Sequence, residues 1–203
     1  MRKLAFLATV FALLVLPSLV LPNLASAQQG DFAIGFGTLV SPGAAACNGL
    51  TCPEKGGFYP SVGGDAIFHN RVGVGLDILW RGGQGNLVLG GIPQTYRPII
   101  FDFNGVYQPR LGKKVGLDLV GGIGWQDTRL YLPYCTNSIT CDNFTSTKHF
   151  LVDVGAGVRY YVWGHVFVRP EARYYHVLNN GDLFTSDGFL RVGASIGYTI
   201  GPD

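Results

Sequence analysis

Beyond its first 27 residues, the sequence lacks any apolar run long enough to form a transmembrane helix. Such a helix needs about 20 consecutive, mostly apolar residues. Inside a bilayer every backbone polar group must find a partner within the protein, so only helices and closed β-barrels cross it. If the mature protein crosses a membrane, it must therefore do so as a closed barrel.

The sequence also lacks an excess of charge of either sign. It has 15 Lys and Arg residues and 13 Asp and Glu residues. Arg2 and Lys3 belong to the N-terminal segment, so the rest of the chain has 15 − 2 = 13 basic residues against 13 acidic ones. Nucleic-acid-binding domains usually carry a strongly basic face. This balance gives no support for a nucleic-acid partner.

The N-terminal segment has the three parts of a secretory signal peptide. Met1–Lys3 is basic, residues 4–21 are apolar, and Ala25-Ser26-Ala27 is a small-residue cleavage site. The alternative is a retained anchor helix, but a proline interrupts the apolar run. We expect cleavage after Ala27. This gives a signal peptide at residues 1–27 and one domain at residues 28–203.

Cysteine is scarce, and the four cysteines form two close pairs, Cys47 with Cys52 and Cys135 with Cys141. Neither pair has the spacing of a zinc knuckle and no histidine is close in sequence to either, so we predict no metal site. Exported proteins commonly form disulfides. Two local bridges are the simplest of the three possible connectivities, with free thiols or bridges between the two loops as alternatives.

What the sequence does contain is strict alternation, seen best in residues 148–177. Two alternating runs are joined there by a turn at Trp163-Gly164-His165. Val154 is typical of one parity, which is apolar, and Asp153 and Arg159 belong to the other. A period of two indicates β-strands, because successive side chains leave a strand on opposite faces.

Eight such segments follow one another, separated alternately by long and short connections. They comprise residues 31–40, 59–68, 71–81, 96–108, 115–130, the two runs within 148–177, and 189–200. The long connections are residues 41–58, 82–95, 131–147 and 178–188. This rhythm is typical of outer-membrane barrels, which have short periplasmic turns and long extracellular loops. We predict an all-β fold, an eight-stranded antiparallel transmembrane barrel with its apolar face toward lipid. A soluble lipocalin-like barrel, with the apolar face inside, is the alternative.

Aromatic side chains give an independent check of this orientation. Amphipathic rings favour the headgroup level of a membrane. Seven aromatic residues lie on the apolar parity near the predicted strand ends, and they form the predicted aromatic belt: Phe68, Trp80, Tyr107, Trp125, Tyr160, Tyr174 and Tyr198. The belt favours the membrane-spanning barrel over the soluble one.

The chain resembles the small outer-membrane protein beta-barrel family, the group that contains the OmpA transmembrane domain and OmpX. The resemblance covers residues 28–203 and rests on the eight-strand rhythm, the hairpin GAGVRYYVWGHVFVRPEARYY, and the last strand. Arg191–Tyr198 is similar to the signal that such barrels present to the outer-membrane assembly machinery, although the chain ends at Asp203 rather than at Phe. The resemblance implies the cell outer membrane as location, with membrane lipid, lipopolysaccharide and the assembly machinery as partners.

The polar parity collects charges that would face the lumen. The predicted lumen charge network consists of Asp77, Asp102, Asp118, Asp153, Arg159, Arg169, Glu171, Arg173 and Arg191, with Asp65 on the same parity. Counting from the short turns places Asp118, Arg159 and Arg169 at one level and Asp153, Arg173 and Arg191 at another. Buried charges must be paired or wet. The network therefore forms either a salt-bridged plug or a lined pore, and we favour the plug.

Function is less determined than fold. We predict no catalytic residues and no cofactor, and favour a non-enzymatic structural or surface-interaction barrel with disulfide-braced outer loops and an unknown extracellular partner. One alternative is a narrow porin-like channel, or a lateral opening, for small solutes. A weaker alternative is a lipid-modifying enzyme. This would need a serine, histidine and acid at the outer rim, where only His149 and His176 are candidates.

Overall fold

The computed structural model describes residues 29–41, 54–89, 92–131 and 143–201. The predicted signal peptide and all four cysteines lie outside the described residues, so its cleavage and the disulfides stay predictions. Within the described residues, no helix is long and apolar enough to span a membrane.

The described chain is built almost entirely of strands. The strands are β1 (Gln29–Val40), β2 (Tyr59–Ile67), β3 (Val72–Trp80), β4 (Gly85–Leu89), β5 (Ile92–Tyr107), β6 (Val115–Tyr131), β7 (Phe144–Trp163), β8 (Val166–Val177) and β9 (Gly188–Ile200). Short 3-10 turns occupy His69–Arg71 and Asn180–Asp182. The eight predicted strands are confirmed in order, with shifted ends.

These strands close into one antiparallel barrel. The sheet order is β3-β2-β1-β9-β8-β7-β6-β5-β4, and β3 also pairs with β5, which closes the ring without β4. The ring therefore has eight strands, with β1 between β2 and β9. The connections β2–β3, β5–β6 and β7–β8 are short and define one end of the barrel, called here the short-turn end. The other end is called the long-loop end.

One predicted loop is partly wrong. The stretch 82–95 contains β4 and the first residues of β5, which pair from Gly85 with Tyr96 to Leu89 with Ile92. β7 also begins at Phe144, opposite Tyr131, rather than at Lys148. Polar segments can continue a ladder because its hydrogen bonds join backbone groups. The wall formed by β5, β6 and β7 therefore rises above β2 and β3.

The two faces of the wall differ as predicted. Outward residues such as Phe32, Ile34 and Val154 are 53–60% exposed on the outside of the barrel, whereas inward residues such as Asp118 and Arg159 are 2% exposed. Soluble monomers rarely expose so many large apolar side chains side by side. The soluble barrel with its apolar face inside is thus excluded, and the exterior suits lipid.

Candidate functional site: the barrel interior

The interior toward the short-turn end is organised around Asp118 and Arg159. Arg159 lies between two carboxylates. Its Nη2 is 3.0 Å from Asp118 Oδ2 and its Nη1 is 2.5 Å from Asp31 Oδ2. The same oxygen of Asp118 also accepts from Arg169 Nη1 at 3.1 Å. The predicted group of Asp118, Arg159 and Arg169 is therefore brought together, with one carboxylate shared by two guanidinium groups.

Asp31 is a central residue that sequence reasoning missed. It accepts from Thr199 Oγ1 at 2.7 Å and from Gln108 Nε2 at 3.2 Å, in addition to Arg159. Its parity, opposite to that of Phe32, was the available signal. Its position near the first residue of β1 concealed it, because the extent of a terminal strand is hard to read from sequence.

A second set of ion pairs connects the middle of the lumen. Glu171 forms ion pairs with Arg169 Nε at 3.0 Å and with Arg191 Nη1, and Arg191 Nη2 donates to Ser61 Oγ at 2.8 Å. Arg191 is the register partner of Arg173, as the predicted level requires, but its side chain pairs with Glu171. Together with the Asp118 group, these contacts form a continuous ladder of charges along the interior.

The third set surrounds Arg173. Its Nη2 is 3.0 Å from Asp77 Oδ2, and its Nη1 is 3.2 Å from Asp102 Oδ1 and 3.9 Å from Asp153 Oδ2. Asp102 also accepts from Asn104 Nδ2 at 2.7 Å and from the Tyr175 hydroxyl at 3.2 Å. All nine residues of the predicted lumen network thus contact at least one other member.

Compensation within this network is uneven. Among the described residues, seven inward carboxyl groups (Asp31, Asp65, Asp77, Asp102, Asp118, Asp153 and Glu171) face the four guanidinium groups of Arg159, Arg169, Arg173 and Arg191. Asp153 is poorly compensated, because both of its buried oxygens lack a hydrogen-bond partner among the described residues. Asp118 Oδ2, in contrast, accepts two charge-assisted hydrogen bonds.

Glycines make room for the arginine side chains. Arg173 crosses Gly155, its register partner on β7, and a Cβ at Gly155 would lie 2.8 Å from Arg173 Cγ. A Cβ at Gly157 would lie 3.1 Å from Arg169 Cγ. A side chain at either glycine would therefore overlap an arginine of the lumen network.

Toward the long-loop end, the interior changes from charged to apolar. Inward side chains from seven strands form a buried cluster, here called the apolar cap: Leu39, Tyr59, Leu79, Ile100, Leu151, Tyr175, Val177 and Phe189. Tyr175 and Phe189 stack with ring centroids 5.4 Å apart. The sequence analysis did not predict this cap, although its members have the same parity as the charges.

Glu54 is held beside the apolar cap from the segment that precedes β2. It is 1% exposed, and its carboxyl group accepts from the Tyr59 hydroxyl and from Gln126 Nε2, each at 2.9 Å. Burial raises the pKa of Glu54 from its ordinary 4.5 to about 7, against the opposing effect of these two hydrogen bonds and of the Arg81 charge. No periodicity marks Glu54 in the sequence, because it lies outside the strands.

The cavities among the ion pairs are small. One of about 10 Å³ borders Asp118, Arg169 and Arg173, and one of about 30 Å³ borders Asp118 and Arg159 at the short-turn end. A larger concavity of about 740 Å³ occurs where β2, β3 and β5 meet; it touches outward Leu76 and Phe103 as well as inward Asp65. Gly64 and Gly75, which have no side chains, are among its lining residues.

The aromatic residues of the predicted belt lie on the outside of the barrel. Tyr107, Trp125, Tyr160, Tyr174 and Tyr198 are 39–49% exposed, and Phe68 and Trp80 are partly exposed. Trp125 stacks on Phe101 with ring centroids 5.2 Å apart.

The two rim histidines are not brought together as a catalytic pair. His149 Nε2 lies 3.4 Å from Asp182 Oδ2. His176 lies on the outward parity of β8, with Val152 and Gly188 as its register partners. Within the described residues, no serine or threonine hydroxyl is hydrogen-bonded to either histidine.

Comparison with known proteins identifies the family. The family model of the outer membrane protein beta-barrel domain matches residues 11–200.

Three solved structures share the fold. Neisserial surface protein A is 12% identical with a TM-score of 0.59, covering 87% of this chain and 99% of that chain. Ail of Yersinia pestis, solved with the heparin analogue sucrose octasulfate, is 13% identical with a TM-score of 0.52, covering 85% and 98%. The N-terminal barrel domain of Pseudomonas aeruginosa OprF is 12% identical with a TM-score of 0.51, covering 87% and 99%.

Identities this low establish the fold and nothing finer. A search of curated proteins found no match. The family model, however, spans every described strand of the closed barrel, so the chain belongs to the outer membrane protein beta-barrel domain family.

Proposed function

We propose that this protein is a non-enzymatic integral barrel of the outer membrane whose lumen is closed by an ion-paired plug. Its role is structural or surface-interacting, through the long connections that face the exterior. The observation that carries this proposal is the filled interior, in which the lumen charge network, including the ion pairs of Asp118 and Arg173, lies beneath the apolar cap. A barrel of eight strands is just wide enough for side chains to fill.

The contacts support a plug that resists opening. A solute passing along the axis would have to separate Arg159 from Asp118 and Arg173 from Asp102, and each of these partners is 4% exposed or less. Breaking a buried pair by removing one partner costs about 3–5 kcal/mol. Several such pairs share residues, so opening one level disturbs the next.

Planar-bilayer conductance of the refolded, oxidised protein tests this proposal. We expect the wild-type barrel to give no steady openings. We expect Arg173→Ala to conduct, because it deletes the side chain that crosses the lumen from β8 to Asp77 and Asp102, which are register partners on β3 and β5. Arg71→Ala, at an exposed arginine of the short-turn end, is the matched control and should remain silent. Steady wild-type conductance would refute the plug. Heat-modifiable gel migration establishes that each variant is folded.

For the membrane partner, we propose contact between lipopolysaccharide phosphates and the outer part of the tall wall. Arg97 and Arg129 are register partners on β5 and β6, and Lys148 is the register partner of Asp127. Like charges placed opposite each other are destabilising, and a phosphate between Arg97 and Arg129 would relieve their repulsion. Refolding in lipopolysaccharide should stabilise the wild type more than an Arg97→Gln and Arg129→Gln double variant. Equal stabilisation would contradict the contact.

A second candidate function is passage of small solutes through the side of the barrel. The concavity of about 740 Å³, which touches both faces of the wall near Gly64, favours this candidate. Liposome swelling with small sugars tests it. Lateral passage predicts uptake above that of empty liposomes, reduced by Gly64→Leu, which fills the outward side of the concavity. The plugged barrel predicts no uptake by either protein.

We propose no catalytic role for His149. Its Nε2 lies 3.4 Å from Asp182 Oδ2 and so has an acid partner, as a catalytic histidine would, but no serine or threonine hydroxyl among the described residues is hydrogen-bonded to it. His149→Ala should leave the acyl composition of lipid A in the host membrane unchanged, as measured by mass spectrometry. A change in acyl chain number that depends on His149 would restore the enzyme alternative.

A further inference from the structure

The turns at the short-turn end carry positive charge only. The connecting segments 68–71, 108–114 and 164–165 contain Arg71, Arg110, Lys113 and Lys114 and no Asp or Glu. All four basic side chains are exposed. Elsewhere in the barrel acidic and basic residues are mixed, so this end differs from the rest of the molecule.

Three of these basic residues share a concavity with aromatic residues at the end of β7. It has a volume of about 430 Å³ and is lined by Arg110, Lys113, Lys114, Tyr161, Val162, Trp163 and Gly164. The backbone fixes this arrangement, because the Tyr161 N–H donates to Lys114 O at 2.9 Å and the Leu117 N–H donates to Pro109 O at 2.9 Å. The two turns are thus held side by side.

The basic side chains of this concavity lack acidic partners, and the large apolar side chains beside them are exposed to solvent. Within the described residues, Arg110, Lys113 and Lys114 form no ion pair with an acidic side chain. Trp163 is 83% exposed and Leu111 is 66% exposed, although both are large apolar side chains. The tryptophan ring is apolar apart from its polar N–H group, so it favours the boundary between acyl chains and headgroups. Cations beside such rings suit the phosphates of an anionic lipid surface.

We propose that the Arg110–Lys113–Lys114 cluster and Trp163 form a binding site for the phosphate of an anionic phospholipid in the periplasmic leaflet. The short turns of outer-membrane barrels face the periplasm, which places the cluster at that leaflet. Exposed Val162 and Trp163 beside the cations favour a lipid over a soluble anion, since a soluble anion would leave these apolar groups in water. The site holds the base of the barrel at a fixed depth.

Local lipid composition around Trp163 tests the proposal. A Trp80→Phe and Trp125→Phe background leaves Trp163 as the sole tryptophan of the chain. The protein is reconstituted in equimolar phosphatidylglycerol and phosphatidylcholine, with brominated acyl chains on one lipid and then on the other. We expect stronger quenching of Trp163 when phosphatidylglycerol carries the bromine. A Lys113→Gln and Lys114→Gln variant should reduce the enrichment roughly five-fold or more.

The matched control removes the same charge near the long-loop end, as Lys55→Gln with Lys148→Gln, both exposed, and should keep the enrichment. Equal quenching by both lipids in the parent protein, or equal loss in the control, would overturn the proposal. Loss of enrichment when phosphate replaces chloride at constant ionic strength would show a soluble-anion site instead.

A second measurement serves if the Trp80→Phe and Trp125→Phe variant does not fold. Native mass spectrometry in mixed nanodiscs should show that the wild-type chain retains more phosphatidylglycerol than the Lys113→Gln and Lys114→Gln variant. Equal retention would overturn the proposal.

Discussion

Neutralising Asp118 should destabilise the barrel more than neutralising another buried aspartate of the same lumen. In Asp118→Asn, Arg159 and Arg169 lose the negative charge of the oxygen that they share at 3.0 and 3.1 Å. Arg159 keeps Asp31 at 2.5 Å, and Arg169 keeps Glu171 at 3.0 Å. Removing one partner of a buried pair costs about 3–5 kcal/mol. We expect a loss of about 3 kcal/mol, the low end of the range, because each arginine keeps one carboxylate.

Asp153→Asn is the matched comparison, because it neutralises a buried carboxylate that has weaker contacts than Asp118. Asp153 is also buried, but neither of its oxygens has a hydrogen-bond partner among the described residues, and its contact with Arg173 is 3.9 Å long. Removing a poorly compensated charge from a low-dielectric interior saves much of its desolvation cost. We expect Asp153→Asn to lose less than about 1 kcal/mol, or to gain stability.

The assay is urea-induced unfolding in lipid vesicles, followed by heat-modifiable gel migration at several urea concentrations. The free energy of unfolding is extrapolated for both variants and the wild type with a common slope. Equal destabilisation by the two substitutions would refute the reasoning, because it would mean that the network responds to charge count and not to specific contacts. A loss below about 1 kcal/mol in Asp118→Asn would refute it as well.

Three further predictions concern Glu54 near the long-loop end, Val154 on the outside of the barrel and Gly155 in its interior. The raised pKa of Glu54, about 7, means that the folded chain binds this proton more tightly than the unfolded chain between about pH 4.5 and 7. Stability should therefore fall as pH rises through this window, by roughly 3 kcal/mol at most, and urea unfolding of Glu54→Gln should show a flatter pH profile. Val154→Asp places a charge on the lipid face at a residue that is 60% exposed there; it should cost about 2 kcal/mol and reduce insertion into vesicles, whereas normal insertion would contradict the outward parity. Gly155→Val puts side-chain atoms where Arg173 Cγ would be 2.8 Å away and should cost about 1–3 kcal/mol in urea unfolding. Gly105→Ala, where the nearest atom is 3.6 Å away, is its control and should be nearly neutral.

Alternation alone determined the strands and their faces. Whether Asp153 points inward and Val154 outward depends only on the period of two along one strand, which needs no knowledge of neighbours. The same local rule placed Asp118, Arg159 and Arg173 in the lumen. The alternation of long and short connections then predicted an antiparallel ring of eight strands, which the pairing of β3 with β5 closes.

Only the tertiary structure decided which charges meet. Arg159 on β7 reaches Asp31 on β1, and Arg173 on β8 reaches Asp77 on β3, although neither pair lies on neighbouring strands. Such contacts cross the lumen, so they depend on the stagger between strands that accumulates around the closed ring. No pattern within a single strand contains that stagger. Levels counted from the turns therefore grouped Asp118 with its partners and Arg191 beside Arg173, but they did not reveal that the Arg191 side chain pairs with Glu171.

The long-loop end shows the same division between what the sequence determined and what the tertiary structure decided. Leu39, Leu79 and Leu151 have the parity of the lumen charges, so the sequence places them inside. It does not reveal that they lie at one level and close the interior, because their distances from the turns differ on each strand. Glu54 follows no period at all, and its position depends on the hydrogen bonds offered by Tyr59 and Gln126. Local periodicity determined which way each side chain points, and closure of the barrel determined what it meets there.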